Sequence, residues 1–189
     1  MAAIPFPIIT SERLILNELK KTDRKQVFDI FSDPKVTAHY DVERFKDIKE
    51  ADHLIKYFSS RFETKTGIRW AIRKKGEPKL IGSCGFNSWN EYDASVILGY
   101  DLAPKHWRKG FASEAVKCIL DYAFGPKFPI NINRVESLIL PSNLPSISVT
   151  ERAGFEFEGV LREKCFWNGA FHDMNLYSLI RKDYEAGQK

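Results

Sequence analysis

The stretch from residue 94 to residue 140 restricts the possible folds more than any other. It opens on an apolar strand, "ASVILGYDL" (94–102), and passes through a basic turn (103–110) into a helical segment (about 111–124). It closes on a second strand, "NRVESLIL" (133–140). In the helical segment Ala112, Ala115, Val116, Ile119, Leu120 and Ala123 recur at the 3.6-residue period of one buried face. Gly125 and Pro126 stop it. A strand–helix–strand crossover of this length predicts two parallel neighbours in one sheet. Ligands of open α/β sheets gather at the carboxyl ends of such strands, where the helix N-termini also point. The turn there, "PKHWRKG", packs a Trp, a His and three cations into residues 105–109 before Gly110. Free N–H groups and the positive pole of the helix dipole make that end an anion site. An ordinary loop with solvated lysines fits this stretch equally well.

The remaining segments extend the sheet. "RLILNEL" (13–19) alternates from Leu14 and reads as a first strand. Thr22 and Asp23 offer an N-cap for a helix that Pro34 stops. Asp47 and Glu50 have capping-box spacing ahead of a helix with Ala51, Leu54, Ile55, Phe58 and Phe62 on one face. "IRWAIRKKGEPKLIGSCGFNSW" (68–89) reads as a hairpin turning at Gly76. A short helix over about 144–153 has Asn143 as its cap and Gly154 at its end. Two closing strands are "FEFEGVLREKCF" and "DMNLYSLIRKDY". Strands bracketing helices, with a long antiparallel run between them, predict a mixed α/β fold in a single domain over 1–189.

Composition narrows the function. A length of 189 residues with 43% hydrophobic content suits a real core. No apolar run approaches the ~18 residues that span a bilayer, and "MAAIPFPIITSERL" lacks the pattern of a signal peptide. Cys84, Cys118 and Cys165 are odd in number and widely spaced, against a disulfide framework or zinc site and in favour of a reducing, cytoplasmic setting. The net charge of +4 is a mild excess on a mixed surface. It fits a local patch for an anionic ligand better than direct nucleic-acid binding. No membrane partner is expected.

The turn "WRKGFA" (107–112) resembles the acetyl-CoA pyrophosphate loop of the GCN5-related N-acetyltransferases (GNAT), [Q/R]-x-x-G-x-[G/A]. Gly110 and Ala112 match its last two fixed positions, and Trp107 at the first is similar to the ribosomal-protein N-terminal alanine acetyltransferase branch. "TSERLIL", "LGYDLAPKHWRKGFASEA", "NLPSISVTERAGFEFEG" and "NGAFHDMNLYSL" resemble further segments of that branch, in the right order. The resemblance implies a mostly antiparallel central sheet with a splayed parallel strand pair and flanking helices. It implies acetyl-CoA as cosubstrate, no metal, and a primary amine as acceptor, attacked directly in a ternary complex. The acceptor is a ribosomal or other protein N-terminus, or else a polyamine, amino acid or antibiotic. A catalytically weak CoA-binding sensor is the other alternative, and the chain is expected to be a monomer or homodimer.

The same resemblance implies the site residues. Trp107, Arg108, Lys109, Gly110, Phe111, Ala112 and Ser113 form the pyrophosphate turn, with Gly110 permitting close approach for want of a Cβ. Asp101, Leu102 and Ala103 would offer backbone hydrogen bonds to the pantetheine arm, as an added strand does. Asn143 belongs to the cofactor set as well as capping its helix. Ser146 touches the cofactor and protonates the departing thiolate, or is only part of the helix start. His39 and Tyr40 fall where relatives line the acceptor pocket. One departure concerns the base: the branch reads "E-I-G-Y" in its central strand, and Ile97 stands here in place of the glutamate. Glu91 and Asp93 are the nearest acids in sequence, both expected in a loop. The cysteines, the His172–Asp173 pair and Tyr177 read as structural.

Overall fold

The computed structural model describes residues 5–188. Eight strands form a sheet, and the pairing around the site is set by β3 to β6. β1 (Ile9–Thr10) and β2 (Leu14–Glu18) lead into a 3-10 turn (Lys21–Asp23), α1 (Arg24–Phe31), α2 (Pro34–Thr37) and α3 (Ile48–Glu63). The long hairpin of β3 (Ile68–Lys74) and β4 (Leu80–Asn90) follows, with β5 (Ser95–Leu102) antiparallel to β4. A second 3-10 turn (Pro104–His106) and α4 (Phe111–Phe124) cross to β6 (Arg134–Ile139). α5 (Leu144–Arg152), β7 (Glu156–Trp167), β8 (Ala170–Ile180) and α6 (Arg181–Ala186) complete the chain. The strand order is β1-β2-β3-β4-β5-β6-β8-β7, and only β5 and β6 run parallel. The expected mixed sheet with one parallel pair is what the chain adopts.

Alternation along the strands divides two cores. Ile68, Trp70 and Ile72 of β3 and Val96, Leu98 and Leu102 of β5 pack with Ala115, Val116, Ile119 and Ala123 of α4. On the opposite face Ala71 and Leu80 pack with Val27 and Ile30 of α1 and Ala51 and Ile55 of α3. α3 starts as its capping-box spacing predicts: Asp47 accepts from the Lys49 N–H at 2.8 Å, and Glu50 accepts from the Asp47 N–H at 2.7 Å.

Three expectations are corrected. The first helix is not capped by Thr22, because a 3-10 turn over Lys21–Asp23 leads into it and the Asp23 carboxylate turns back to accept from the Lys20 N–H at 2.9 Å. The Asp23 carboxylate is then held by Arg73 at 2.7 Å. Pro34 does not simply stop that helix; it opens α2 at the position where its missing N–H costs nothing, with Asp33 as the cap. The last strand ends at Ile180 rather than continuing to Tyr184. Arg181 donates to the carbonyls of Ile132 and Phe124, both at 2.9 Å, and Tyr184 stacks on Phe124, so the chain folds back as α6.

A polar cluster is enclosed on the α1–α3 face. Arg69 of β3 and Asp101 of β5 form an ion pair at 2.7 Å, with side chains 0% and 1% exposed. Ser83 and Asn87 accept from Arg69 at 2.9 and 3.0 Å, and the Phe58 ring lies under the guanidinium. The Ser83 hydroxyl and backbone N–H both donate to Asp101. Every charge is thus matched by a directed hydrogen bond, the condition under which burial is tolerated. Removing one member should cost about 3–5 kcal/mol. Arg69→Met keeps side-chain length and drops the charge, so denaturant titration should show a loss of that size. A loss below about 1 kcal/mol would mean that the pair does not stabilise the sheet.

Candidate active site

The site begins where β5 and β6 part. Their parallel register covers Ser95–Arg134 to Leu98–Ser137 and then ends, although β5 continues to Leu102 and β6 to Ile139. Backbone alternation shows which groups this leaves unpaired by the sheet. The Ala94 carbonyl accepts from the N–H groups of Asn133 and Arg134, so even-numbered residues of β5 turn toward β6. The Ala103 N–H donates to Ile81 at 2.9 Å, so odd-numbered residues turn toward β4. Tyr100 and Leu102 therefore aim their backbone groups into the gap. The Leu102 carbonyl is taken by Trp107 Nε1 at 2.7 Å. What remains is the N–H and C=O of Tyr100 and the N–H of Leu102.

This corrects part of the expected backbone set. Asp101 turns its main chain to β4 and its side chain to Arg69, and Ala103 has its N–H engaged by Ile81. Leu102 keeps a free group, and Tyr100, absent from the expected set, supplies two. The "GY" of the quoted segment marked the strand but not the direction of its peptide groups.

The gap opens into a cleft of about 820 Å³. Its lining includes Asp101, Leu102, Trp107, Arg108, Gly110, Phe111, Ala112, Ser113, Asn143, Ser146, His39 and Tyr40. Two expected residues lie outside it. Ala103 packs with the α1–α3 core, and the Lys109 ammonium folds back onto the Lys105 carbonyl at 2.8 Å. Four lining residues gave little sequence signal: Lys35 of α2, His106, Tyr100, and Arg152 at the end of α5. Burial and the charges of Lys105, Lys74 and Lys109 lower the His106 pKa.

The turn into α4 is built for close approach. Gly110 has φ 79° and ψ −1°, the left-handed conformation that glycine adopts without penalty. Arg108 takes φ 57°, which is strained for a residue with a Cβ. Arg13 of the N-terminal region fixes the turn from behind. It donates through Nη1 to the Lys109 carbonyl at 3.0 Å and through its backbone N–H to Glu114 at 2.8 Å. Its guanidinium lies 4.7 Å over Phe111 and pairs with Glu114 at 2.6 Å. Because the peptide is trans, a Lys109 carbonyl held by Arg13 directs the Gly110 N–H the opposite way. Burial would raise the Glu114 pKa, but hydrogen bonds from Ser11 and Arg13 outweigh it and hold the carboxyl below its ordinary value.

Across the cleft Asn143 caps α5, its side-chain oxygen accepting from the Ser146 N–H at 3.2 Å. The Ser146 hydroxyl lies 2.8 Å from the Tyr100 hydroxyl. Burial pushes the Tyr100 pKa up to about 12 against the opposing Ser146 hydrogen bond, so the phenol keeps its proton at neutral pH. Ser146 thus has a tyrosine beside it, delivered by β5 rather than by its own segment.

Ile97 is half-buried on β5, on the face opposite Tyr100 and in register with Glu136. Glu136 is not free, since Arg134 holds it at 2.6 Å and also binds Glu158. The Arg134 and Ser178 hydrogen bonds lower the Glu158 pKa to about 2. Glu91 and Asp93 are exposed in the turn before β5, at the strand end remote from the cleft. His172 stacks on Trp167, Asp173 accepts from the Glu163 N–H, and Tyr177 is core. The three cysteines are free thiols, and burial pushes Cys84 upward. Among the described residues no group of acids, histidines and cysteines could hold a metal.

The cleft thus lies where a parallel pair separates beside a glycine turn, and comparison with known proteins identifies the class. Residues 13–156 match the acetyltransferase (GNAT) domain model. The chain is 34% identical over 176 residues to the uncharacterized N-acetyltransferase YoaA of Bacillus subtilis, covering 93% of this chain and 98% of that one. The chain belongs to the GNAT acetyltransferase family. Its fold superposes on RimL, a ribosomal L7/L12 α-N-protein acetyltransferase in complex with coenzyme A, with TM-score 0.81, 18% identity and coverage of 92% and 98%. It also superposes on Vibrio cholerae spermidine N-acetyltransferase in complex with CoA and spermine, with TM-score 0.78, 22% identity and coverage of 93% and 99%.

Gly110→Ala tests the turn. The left-handed backbone is unfavourable for alanine by about 1–2 kcal/mol, and the new Cβ would lie 3.2 Å from Arg13 Nη2. CoA affinity should fall at least tenfold, about 1.4 kcal/mol, by calorimetric titration of protein shown to be folded. Unchanged affinity would remove this turn from the binding site.

Proposed function

We propose that the protein transfers the acetyl group of acetyl-CoA to an α-amine, that of a protein N-terminus, by direct attack in a ternary complex. The carrying observation is the charge of the cleft. Lys35, Arg108 and Arg152 line it, while Asp101, the only carboxylate in the lining among the described residues, is committed to Arg69. A polyamine needs several free carboxylates to offset its charges, and this lining offers none. Cations suit the phosphates of the donor, and a single α-amine carries one charge that it loses readily. Three free thiols fit a reducing, cytoplasmic setting.

In this reading the N–H groups at Gly110, Ala112 and Ser113 hold the pyrophosphate at the start of α4. Tyr100 and Leu102 bind the pantetheine arm through their backbone, completing the strand pairing that β6 abandons. Arg108 adds charge at the phosphates, Trp107 walls the turn, and Asn143 has its side-chain N–H groups available to the cofactor. The amine nitrogen bonds to the thioester carbon, and the C–S bond breaks. Ser146 delivers a proton to the thiolate and regains one from water through Tyr100, which its hydroxyl contacts at 2.8 Å. The attacking nitrogen gives its proton to water, since no lining carboxylate is free to receive it.

Ser146→Ala should lower kcat by roughly ten- to a thousandfold and leave CoA affinity nearly unchanged. Tyr100→Phe should act in the same direction. If the two hydroxyls form one relay, the double variant should lose little more than the worse single variant, because residues acting as a unit are non-additive. Full activity in Ser146→Ala would reduce the serine to a structural part of the helix start.

The pH dependence should belong to the acceptor. An α-amine with pKa near 7.7–8.0 is roughly a quarter neutral at pH 7.4, against about a thousandth of a lysine. Only the neutral amine attacks, so kcat/KM should rise with pH through the α-amine titration. Tyr40 and Tyr100, pushed up to about 12, stay protonated throughout. Matched peptides, one with a free N-terminus and one with only a lysine amine, should differ strongly in favour of the first. Preference for lysine or for spermidine would refute the α-amine assignment.

A further inference from the structure

We infer that Tyr40 is a specificity-determining hydrogen-bond donor, placed to recognise a carbonyl oxygen next to the attacking amine. This rests on the α-amine reading and sharpens it: the acceptor is read as an amine attached to an acyl group.

The argument starts from how the hydroxyl is bonded. Arg69 Nη2 donates to the Tyr40 oxygen at 2.8 Å. A guanidinium has donors and no acceptor, so the phenol can only accept from it and must direct its own hydrogen elsewhere. No acceptor for that hydrogen occurs among the described residues, and Tyr40 lines the cleft. Arg69 cannot swing away to change this, because Ser83, Asn87 and Asp101 hold its other N–H groups. The Phe31 ring also packs edge-on against Tyr40, with centroids 5.3 Å apart, and so fixes the phenol plane. The result is a donor of fixed direction with an unmet bond.

Its position assigns it to the acceptor. Successive residues of β5 point to opposite faces of the sheet. Tyr100 points to the Ser146 side, where the thiolate leaves, whereas Asp101 points to the Arg69 side, where Tyr40 stands. The amine attacks one face of the planar thioester carbonyl, and with Ser146 beside the leaving sulfur the Tyr40 side of the cleft is the part left for its approach. A peptide N-terminus carries its first carbonyl oxygen two bonds beyond the α-amino nitrogen's own carbon neighbour, within reach of such a donor. A polyamine has no acceptor oxygen there.

The test compares a short peptide with a free N-terminus against the same peptide whose first carbonyl oxygen is replaced by sulfur, a poor hydrogen-bond acceptor. In the unaltered enzyme kcat/KM should be about three- to tenfold lower for the thio peptide, the size of one neutral hydrogen bond. In Tyr40→Phe the two peptides should become nearly equal, with the KM for acetyl-CoA unchanged. Equal losses on both peptides in Tyr40→Phe would overturn the inference and leave the α-amine reading standing. Faster acetylation of a carbonyl-free polyamine than of the peptide would overturn both. Should Tyr40→Phe fail to fold, the oxo–thio comparison in the unaltered enzyme decides alone, and indifference to sulfur there refutes the role.

Discussion

The parting of β5 from β6 governs the rest of the structure. A sheet interior normally pairs every backbone group, since a buried unpaired N–H or C=O costs about 1–3 kcal/mol. Here the parallel ladder ends after Leu98 and Ser137 while both strands continue. The groups at Tyr100 and Leu102 face an open cleft and not apolar packing, where solvent can meet them at low cost until a ligand arrives. The two cores on either face hold the sheet together beside the opening. The Arg69–Asp101 pair ties β5 to β3, past β4, at the level where β6 lets go.

Around this opening the chain uses its side chains as fixed braces. Trp107 occupies the Leu102 carbonyl, Arg13 holds the Lys109 carbonyl, and Asn143 binds the Ser146 N–H. Each brace leaves a neighbouring group free and determines its direction. The site is prepared by what is already satisfied, so that little reorientation is left for binding.

The sequence made the framework legible because period and punctuation are local properties. The helix over 111–124, the hairpin about Gly76 and the Asp47–Glu50 box each depend on residues within a few positions of one another. The errors came where distant partners decide. The Asp23 carboxylate turns back to the Lys20 N–H and is held there by Arg73, fifty positions away, and Tyr184 leaves the strand for Asp121 and Phe124. In the site, the glycine turn and the Asn143 cap were readable from spacing. The Tyr100–Ser146 contact and the Arg69–Tyr40 bond join residues 46 and 29 positions apart. Lys109, one of three similar cations in the turn, folds outward for reasons that no composition reveals.

The tie between Arg13 and the turn has a consequence for how the protein is made. Arg13 meets Glu114 across 101 positions, and β6 and α5, which bound the other side of the cleft, come later still. A contact of such separation forms only after the intervening chain has closed its loop entropy. A chain still emerging from its N-terminus therefore carries the Gly110 turn without the brace that aims its N–H. Acetyl-CoA has no completed surface to hold until the sheet has closed, and once there it favours only the finished fold. The donor substrate thereby acts as an inspector of assembly, rewarding chains whose Arg13 has found its late-made partners.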